Sequence, residues 1–82
     1  MVKFRFVELD DSDNIVKILH ETKEYDNRWN NDWGNECYYK IIELNKTYNF
    51  TDYDNCPNIS IEKFEDGEWR FFDSAVEYWF NL

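Results

Sequence analysis

Hydrophobic and polar residues alternate from the start of the chain, over residues 2–9. Val2, Phe4 and Phe6 fall on one side of an extended backbone, and the charged residues between them fall on the other. A period of two is typical of a strand with one buried face. We therefore predict a first β-strand over residues 2–9.

Residues 12–25 follow a longer spacing that favours a helix. Ser12 offers an N-cap, and Ile15 and Ile18 then begin a series at helical intervals. An alternative interpretation makes residues 15–25 the second strand of a hairpin, because Ile, Val and Thr are β-branched and favour extended backbone. The pattern favours the helix and leaves the strand open.

The middle of the chain has no single clear period. Residues 26–35 are rich in Asn and Asp and contain Gly34, which predicts a loop. Residues 37–44 are apolar at most positions and β-prone, which predicts a central strand. Residues 45–57 mix Thr, Tyr and Phe with Asn and Asp, so we expect an irregular segment with a short edge strand at residues 48–51.

The clearest local signal is a hairpin near the C-terminus. Residues 58–64 and 68–72 are strand-like, and Glu65, Asp66 and Gly67 separate them. Glycine adopts the positive φ that tight hairpin turns require, so we predict two paired strands here.

The last residues predict a short helix over 75–82. Asp73 or Ser74 can cap its N-terminus. The residues that we expect to face inward are Val76, Trp79 and Phe80.

These elements predict an α+β fold, with a small antiparallel sheet of about four strands and one or two short helices on one face. With 82 residues, we expect a single domain spanning residues 1–82. Such a short chain has a limited aliphatic core. Aromatic residues make up 21% of the chain, and their large rings supply the missing buried area.

Acidic residues outnumber basic ones, with 18 Asp and Glu against nine Lys and Arg and a formal net charge of −9. A protein that binds a nucleic-acid backbone needs clustered Lys and Arg, so this charge argues against direct nucleic-acid binding. The same reasoning argues against an anionic membrane surface. Residues 50–82 concentrate the excess, because they contain eight acids and two bases.

The two cysteines and the lack of a visible secretory signal favour a cytoplasmic protein. Neither Cys37 nor Cys56 has a neighbouring Cys or His that would complete a zinc site, although a disulfide between them is geometrically possible. The N-terminus lacks the uncharged apolar run of a secretory signal, and no segment approaches the length of about 18 apolar residues that spans a bilayer. We therefore expect a reducing compartment and free thiols.

The residue inventory offers little catalytic chemistry. His20 is the only histidine, and the helical interpretation places it at a half-exposed boundary. Two glycines cannot build a phosphate-cradling loop, and neither follows acids at the spacing of a calcium-binding loop. We interpret Asp10, Asp11 and Asp13 as a solvated, helix-capping cluster in preference to an irregular calcium site. We expect neither an enzyme nor a bound metal or cofactor.

Acidic clusters can stand in for the phosphates of a nucleic acid if they share one face of the molecule. Excess charge that merely keeps the chain in solution is the plainer interpretation of the same residues. The acidic residues that we predict to bind a partner are Glu8, Asp10, Asp11, Asp13, Asp52, Asp54, Glu65, Asp66 and Glu68.

Affinity also needs a dehydrated centre, for which aromatic residues are the usual anchors. Tyr25, Trp29, Trp33 and Tyr53 lie in or beside loops rich in Asn and Asp, away from periodic core positions. We take Trp29, Trp33 and Tyr53 as predicted anchors. Their plainer interpretation is that a small domain folds its loops back over large rings for stability.

The combined pattern predicts an acidic inhibitor or decoy that occupies the nucleic-acid-binding groove of a basic protein. In size, acidity and aromatic, Asn-rich composition, the chain resembles small phage-encoded inhibitors of bacterial defence, including anti-CRISPR and other DNA-mimic proteins. The resemblance covers composition only, and because those inhibitors share no common fold it implies no architecture and no site residue.

Two other functions compete with this prediction. One is a protein-interaction subunit, such as an immunity protein or small assembly factor, whose partner does not bind nucleic acid. The other is a small enzyme or ligand binder with a pocket around His20 or a carboxylate pair. The pattern leaves the oligomeric state open, although like charges oppose self-association unless the interface is apolar.

Overall fold

The structure, a computed structural model, describes residues 1–52 and 54–82. It is an α+β fold in which a four-stranded antiparallel sheet carries two helices, as the sequence predicts. The sheet order is β2-β1-β3-β4. The elements, in chain order, are β1 Lys3–Leu9, β2 Ile15–Glu21, α1 Asn30–Tyr48, β3 Ile59–Glu65, β4 Glu68–Ser74 and α2 Ala75–Phe80.

The core lies between one face of the sheet and helix α1. Alternate residues of β1 and β3 meet the buried stripe of α1, and the rings of Phe4, Phe6 and Phe50 are its largest fully buried side chains. We call this the inner face of the sheet and the opposite side the outer face. The buried core residues are Val2, Phe4, Phe6, Cys37, Ile41, Leu44, Phe50, Ile59, Ile61 and Ala75.

The prediction of a helix over residues 12–25 is wrong, because this segment contains strand β2. The alternative hairpin interpretation describes the segment correctly, since β2 pairs antiparallel with β1. Two register shifts interrupt that pairing, so Ile15, Ile18 and Glu21 lie opposite Leu9, Val7 and Arg5. Each bulge adds one residue to β2, which lengthens its inside-outside period from two to three. A period of three resembles the 3.6-residue turn of a helix.

The predicted central strand at residues 37–44 is also wrong, as is the predicted loop over residues 26–35 beyond its first few residues. All of residues 37–44 and the last six of residues 26–35 belong to helix α1, whose buried residues are Cys37, Ile41 and Leu44. Spacings of four and three put these side chains on one helical face. The hydrophobic residues of the segment therefore follow a helical period despite their β propensity.

Helix α1 ends where the sequence predicts an edge strand at residues 48–51, so that prediction is wrong as well. Asn49 adopts a left-handed conformation with φ 52°, and its N–H donates to the Asn45 carbonyl. The Asn45 side chain then accepts the Phe50 N–H at 2.7 Å. Asparagine tolerates the left-handed region and satisfies the free groups of a helix end.

The C-terminal hairpin is confirmed. Strands β3 and β4 pair antiparallel across a turn in which Asp66 has φ 56° and Gly67 has φ 81°. Two consecutive positive φ values are typical of a type I′ turn, which matches the twist of the flanking strands.

The final helix is confirmed in shorter form, as α2, with the Ser74 side chain accepting the Glu77 N–H. Ala75 is its buried residue, and Val76 and Trp79 pack against the core. The prediction that Phe80 faces inward is wrong, since 46% of Phe80 is exposed.

Both thiols are free, with Cys37 buried in the core and Cys56 exposed. Burial raises the pKa of the Cys37 thiol to about 12. Within residues 1–52 and 54–82, no helix has the length and apolar character that crossing a membrane would require.

Candidate protein-binding surface

The loop between β1 and β2 holds its carboxylates in a defined arrangement. Asp10 Oδ1 accepts the backbone N–H groups of Ser12 and Asn14, each at 2.9 Å. The hydrogen bond from the Asn14 backbone is the largest cause that lowers the pKa of Asp10, so its carboxylate stays charged. This loop is a pre-formed turn whose acids need little ordering when a partner binds.

Asn58 ties this loop to the start of β3. Its side-chain amide donates to the Asp10 carbonyl at 3.1 Å and to Asp13 Oδ1 at 3.2 Å. The Leu9 N–H donates in turn to the Asn58 carbonyl at 2.9 Å. The β1–β2 loop, the segment before β3 and the end of β4 therefore meet at one end of the sheet.

We call this the acidic end. Helix α1 also finishes there, because Phe50 packs against Trp79 of α2 at 6.5 Å between ring centroids. The C-terminus of a long helix carries partial negative charge and adds to the field. The residues that define the acidic end are Glu8, Asp10, Asp11, Asp13, Asp52, Asp54, Asp73 and Glu77.

None of the eight acids of the acidic end forms an ion pair within residues 1–52 and 54–82. Two lysines lie in this region, Lys17 opposite Glu8 on β2 and Lys46 in the last turn of α1. Neither makes a salt bridge with a described acid. The acids of the acidic end therefore have no ion-pair partner among the described residues.

The opposite end of the sheet, around the β3–β4 turn, differs in this respect. There Arg70 pairs with Glu68 at 3.1 Å, Lys63 with Glu65 at 3.8 Å and Arg28 with Asp26 at 2.8 Å. The bidentate contact with Arg28 lowers the pKa of Asp26 to about 2. Six residue steps along β3 separate the two ends by roughly 20 Å. Most of the net charge therefore lies at the acidic end.

The structure divides the acids that we predict to bind a partner into two groups. Glu8, Asp10, Asp11 and Asp13 lie at the end of β1 and in the β1–β2 loop, and Asp52 and Asp54 lie in the segment that leads from α1 to the start of β3 at the same end of the sheet. Glu65, Asp66 and Glu68 lie at the opposite end, beside the loop that precedes α1, where the Asn27 amide donates to Glu65 at 3.2 Å. No single face joins all of them.

The predicted aromatic anchors separate in the same way. Trp33 is partly buried and packs against the core, because its ring lies tilted against that of Phe4 with 4.6 Å between the ring centroids and meets Phe72 edge-on at 5.8 Å. Trp29 is 62% exposed but lies before α1, at the end opposite the acidic end. Tyr53 lies outside the described residues.

A polar contact between sheet and helix is absent from the sequence-based prediction. Glu36 on α1 accepts hydrogen bonds from His20 Nε2 at 2.8 Å and from the Tyr25 hydroxyl. Burial alone raises the pKa of Glu36, but these two hydrogen bonds outweigh it and the pKa lies below its ordinary value. The hydrogen bond to Glu36 raises the pKa of Tyr25 to about 12.

This contact ties α1 to β2 and gives His20 a defined partner. Catalysis by a histidine and a carboxylate needs a nucleophile or substrate on the other ring nitrogen. No described Ser, Thr or Cys side chain is hydrogen-bonded to His20. The sequence contained one signal for this contact, the spacings of three and four residues that place Glu36 on α1 near Trp33 and Lys40.

The outer face of the sheet is the second feature that sequence reasoning missed. Neither helix covers it, and Ile15, Ile18 and Phe71 expose 44%, 51% and 68% of their surface there. A hollow of about 470 Å³ lies between β1, the start of β2, β3 and β4 on this side. The pairing of β2 with β1 determines which of its residues reach the outer face. The sequence signal for this exposed face therefore depends on the positions of the two bulges.

Another hollow, of about 420 Å³, lies beside it where β3 begins. Its lining includes the exposed Cys56, Pro57, Val76 and Glu77. Among residues 1–52 and 54–82, no three His, Cys, Asp or Glu side chains converge to hold a metal ion.

Comparison with known proteins adds no identification. No family model, curated protein or solved structure matches the chain.

Proposed function

We propose that this chain is an acidic protein-binding inhibitor or decoy that blocks the nucleic-acid-binding surface of a basic protein. The observation that carries the proposal is the segregation of charge. At the β3–β4 turn, Glu65 and Glu68 pair with the chain's own cations, whereas none of the acids of the acidic end has an ion pair among the described residues. DNA mimicry of this kind is also what the compositional resemblance to phage-encoded anti-defence proteins implies.

The physical argument concerns both encounter and affinity. An uncompensated acidic surface attracts a cationic one over about a Debye length and orients it, as a phosphate backbone does. Loop carboxylates that are already held in place lose little entropy on binding. In this proposal the chain acts by occupying the nucleic-acid-binding surface of its partner, without catalysis or a cofactor.

We also propose that the chain acts in the cytoplasm. Exposed Cys56 has a free thiol, and a reducing compartment keeps exposed thiols unpaired.

The direct test is capture of partners on the immobilised chain at about 50 mM and about 500 mM salt, conditions of long and short electrostatic screening. We expect a basic nucleic-acid-binding protein that is retained at low salt, released at high salt and displaced by DNA or RNA. Partners are identified by mass spectrometry and the complex is then rebuilt from purified components.

Two matched charge variants show whether the acidic end is responsible. The triple variant Asp11→Asn, Asp13→Asn, Asp54→Asn and the triple variant Glu65→Gln, Asp66→Asn, Glu68→Gln remove the same net charge from opposite ends. We expect the first to lose most of the affinity and the second to keep it. Equal losses would mean that net charge alone attracts the partner and would contradict the proposal.

One observation favours the protein-interaction subunit as a second candidate. Helix α1 exposes 40% of Tyr38 and 68% of Tyr39, and their rings meet edge-on at 5.3 Å. Exposed aromatic residues of this kind anchor interfaces that depend little on salt. A captured partner that resists 500 mM salt, ignores nucleic acid and is lost with Tyr39→Ser would support this second function.

A further inference from the structure

We propose that the hollow on the outer face of the sheet is a receptor for one arginine side chain of the basic partner. This inference rests on the proposed function and adds to it the residue type that the acidic end recognises. The residues that line the hollow are Leu9, Asp13, Ile15, Asn58, Ser60, Glu62, Phe71 and Ser74.

The same face already holds an arginine in a comparable setting. Arg5 donates to Glu62 Oε1 at 2.7 Å, and its guanidinium carbon lies 4.2 Å from the centre of the Trp69 ring. Its side chain is only 16% exposed. An aromatic ring and a carboxylate on adjacent strands therefore bind a guanidinium on this sheet.

Two residues further along β4 an aromatic ring recurs, and the carboxylate of the hollow that has no ion pair is Asp13, because Glu62 already pairs with Arg5. Phe71 lies directly opposite Glu62 on the same face as Trp69, and it is 68% exposed. On β1, the position after Arg5 on this face is Val7, and no Lys or Arg is among the described residues that line the hollow. Here this chain provides the aromatic ring and the carboxylate, and we expect the partner to provide the cation.

The chemistry of the lining fits arginine better than lysine. Leu9 and Ile15 offer apolar walls for a methylene stem. Asp13 uses Oδ1 for Asn58, which leaves its second oxygen for a guanidinium at the rim. A planar guanidinium also stacks on the exposed Phe71 ring, whereas a compact, strongly hydrated ammonium gains less from that ring.

The hollow also has the right position. Asp13 belongs both to its rim and to the acidic end, so a partner attracted by the acidic end meets the hollow next. A long-range field then steers the partner, and the hollow supplies the partly dehydrated anchor that affinity requires.

Synthetic hexa-arginine and hexa-lysine peptides test this, because they carry the same charge and differ in the head group. At about 50 mM salt, we expect the wild-type chain to bind hexa-arginine about two- to five-fold more tightly than hexa-lysine, as measured by calorimetry. The amide signals of Ser60 and Phe71 should shift in NMR spectra on addition of hexa-arginine.

Substitutions at the ring should remove the preference while leaving general attraction intact. Phe71→Ser should bind both peptides equally, at the affinity of wild type for hexa-lysine. The matched control is Tyr39→Ser on helix α1, since Tyr39 has the same exposed fraction of 68%. That variant should keep the preference for arginine.

Charge at the rim gives an independent measurement that does not alter the ring. Asp13→Asn should weaken hexa-arginine binding more than Asp66→Asn does. The two residues are matched, because both are exposed and have positive φ, 62° and 56°. Equal effects of the two substitutions would contradict the proposal.

The results also distinguish this inference from the proposed function. Equal binding of both peptides by the wild-type chain, or a preference that survives in Phe71→Ser, overturns the arginine receptor. The proposed function survives that result if the acidic-end triple variant still loses binding. If neither peptide binds the wild-type chain, both proposals fail.

Discussion

The two glycines of this chain have different backbone conformations. Gly67 has φ 81°, where an L side chain is strained, whereas Gly34 lies within helix α1. An added Cβ meets no atom within 4 Å at either position. Backbone conformation alone therefore decides the effect of a side chain at each.

Gly67→Val should lower the free energy of unfolding by about 1–2 kcal/mol, because a β-branched residue at positive φ is strained. Gly34→Ala should raise it by about 0.5–1 kcal/mol, since alanine is the better helix former. Urea denaturation measures both. An unchanged midpoint for Gly67→Val would contradict the type I′ turn.

At the scale of elements, contact between β2 and α1 depends on more than apolar packing. His20 lies in β2, Tyr25 follows it, and both donate to Glu36 on α1. A carboxylate whose pKa is lowered by folding stabilises the protein above the pKa of the unfolded state. That contribution is lost as the pH falls through the lower pKa of the folded state.

Glu36→Gln should lower the free energy of unfolding by about 1.5–3 kcal/mol at pH 7, the value of hydrogen bonds to a charged group. As the pH falls below about 4.5, the ordinary pKa of this carboxyl, the difference from wild type should shrink. Thermal unfolding between pH 7 and pH 2.5 measures this.

The matched control is Glu43→Gln, an exposed glutamate on the same helix that pairs with Lys40. It should follow the wild-type curve within about 0.5 kcal/mol. A pH-independent deficit in Glu36→Gln would mean that the contact with His20 and Tyr25 does not depend on the charge of Glu36.

For the whole molecule, charge distribution has a cost as well as a proposed use. Acids without cationic partners repel one another in the folded state, whereas Glu65 and Glu68 at the β3–β4 turn are offset by Lys63 and Arg70. A surface kept for binding a partner is often less stable than one optimised for folding alone.

The two triple variants described above should therefore differ in stability. Neutralising Asp11, Asp13 and Asp54 should raise the free energy of unfolding at low salt by several tenths of a kcal/mol, because it relieves repulsion. Neutralising Glu65, Asp66 and Glu68 should leave it unchanged or lower it. Added salt should reduce the difference, and equal effects would contradict segregated charge.

Strong local signals made part of the fold predictable from the sequence. Alternation identified β1, and the Asp66 and Gly67 turn identified the β3–β4 hairpin, because a tight turn needs residues that accept positive φ. Ser74 likewise marked the start of α2. In each case, a few neighbouring residues are sufficient to determine the local structure.

Helix α1 and strand β2 were mistaken for each other's class because their local preferences oppose their tertiary setting. The β-prone residues of α1 are helical since Cys37, Ile41 and Leu44 bury one stripe against the sheet. Two bulges give β2 a nearly helical period. Tertiary packing contributes more free energy than intrinsic propensity. It therefore determines whether such a segment forms a helix or a strand.

The sequence by itself determined the excess of acid, the supply of rings for a small core and the fold class, because composition and short-range pattern carry that information. Only the tertiary structure decided where the charge lies. It brought Asp10 and Asn58 together from distant parts of the chain, packed Trp33 against the core and placed Phe71 opposite Glu62. Strand order and register are non-local, and they determine which side chains share a surface.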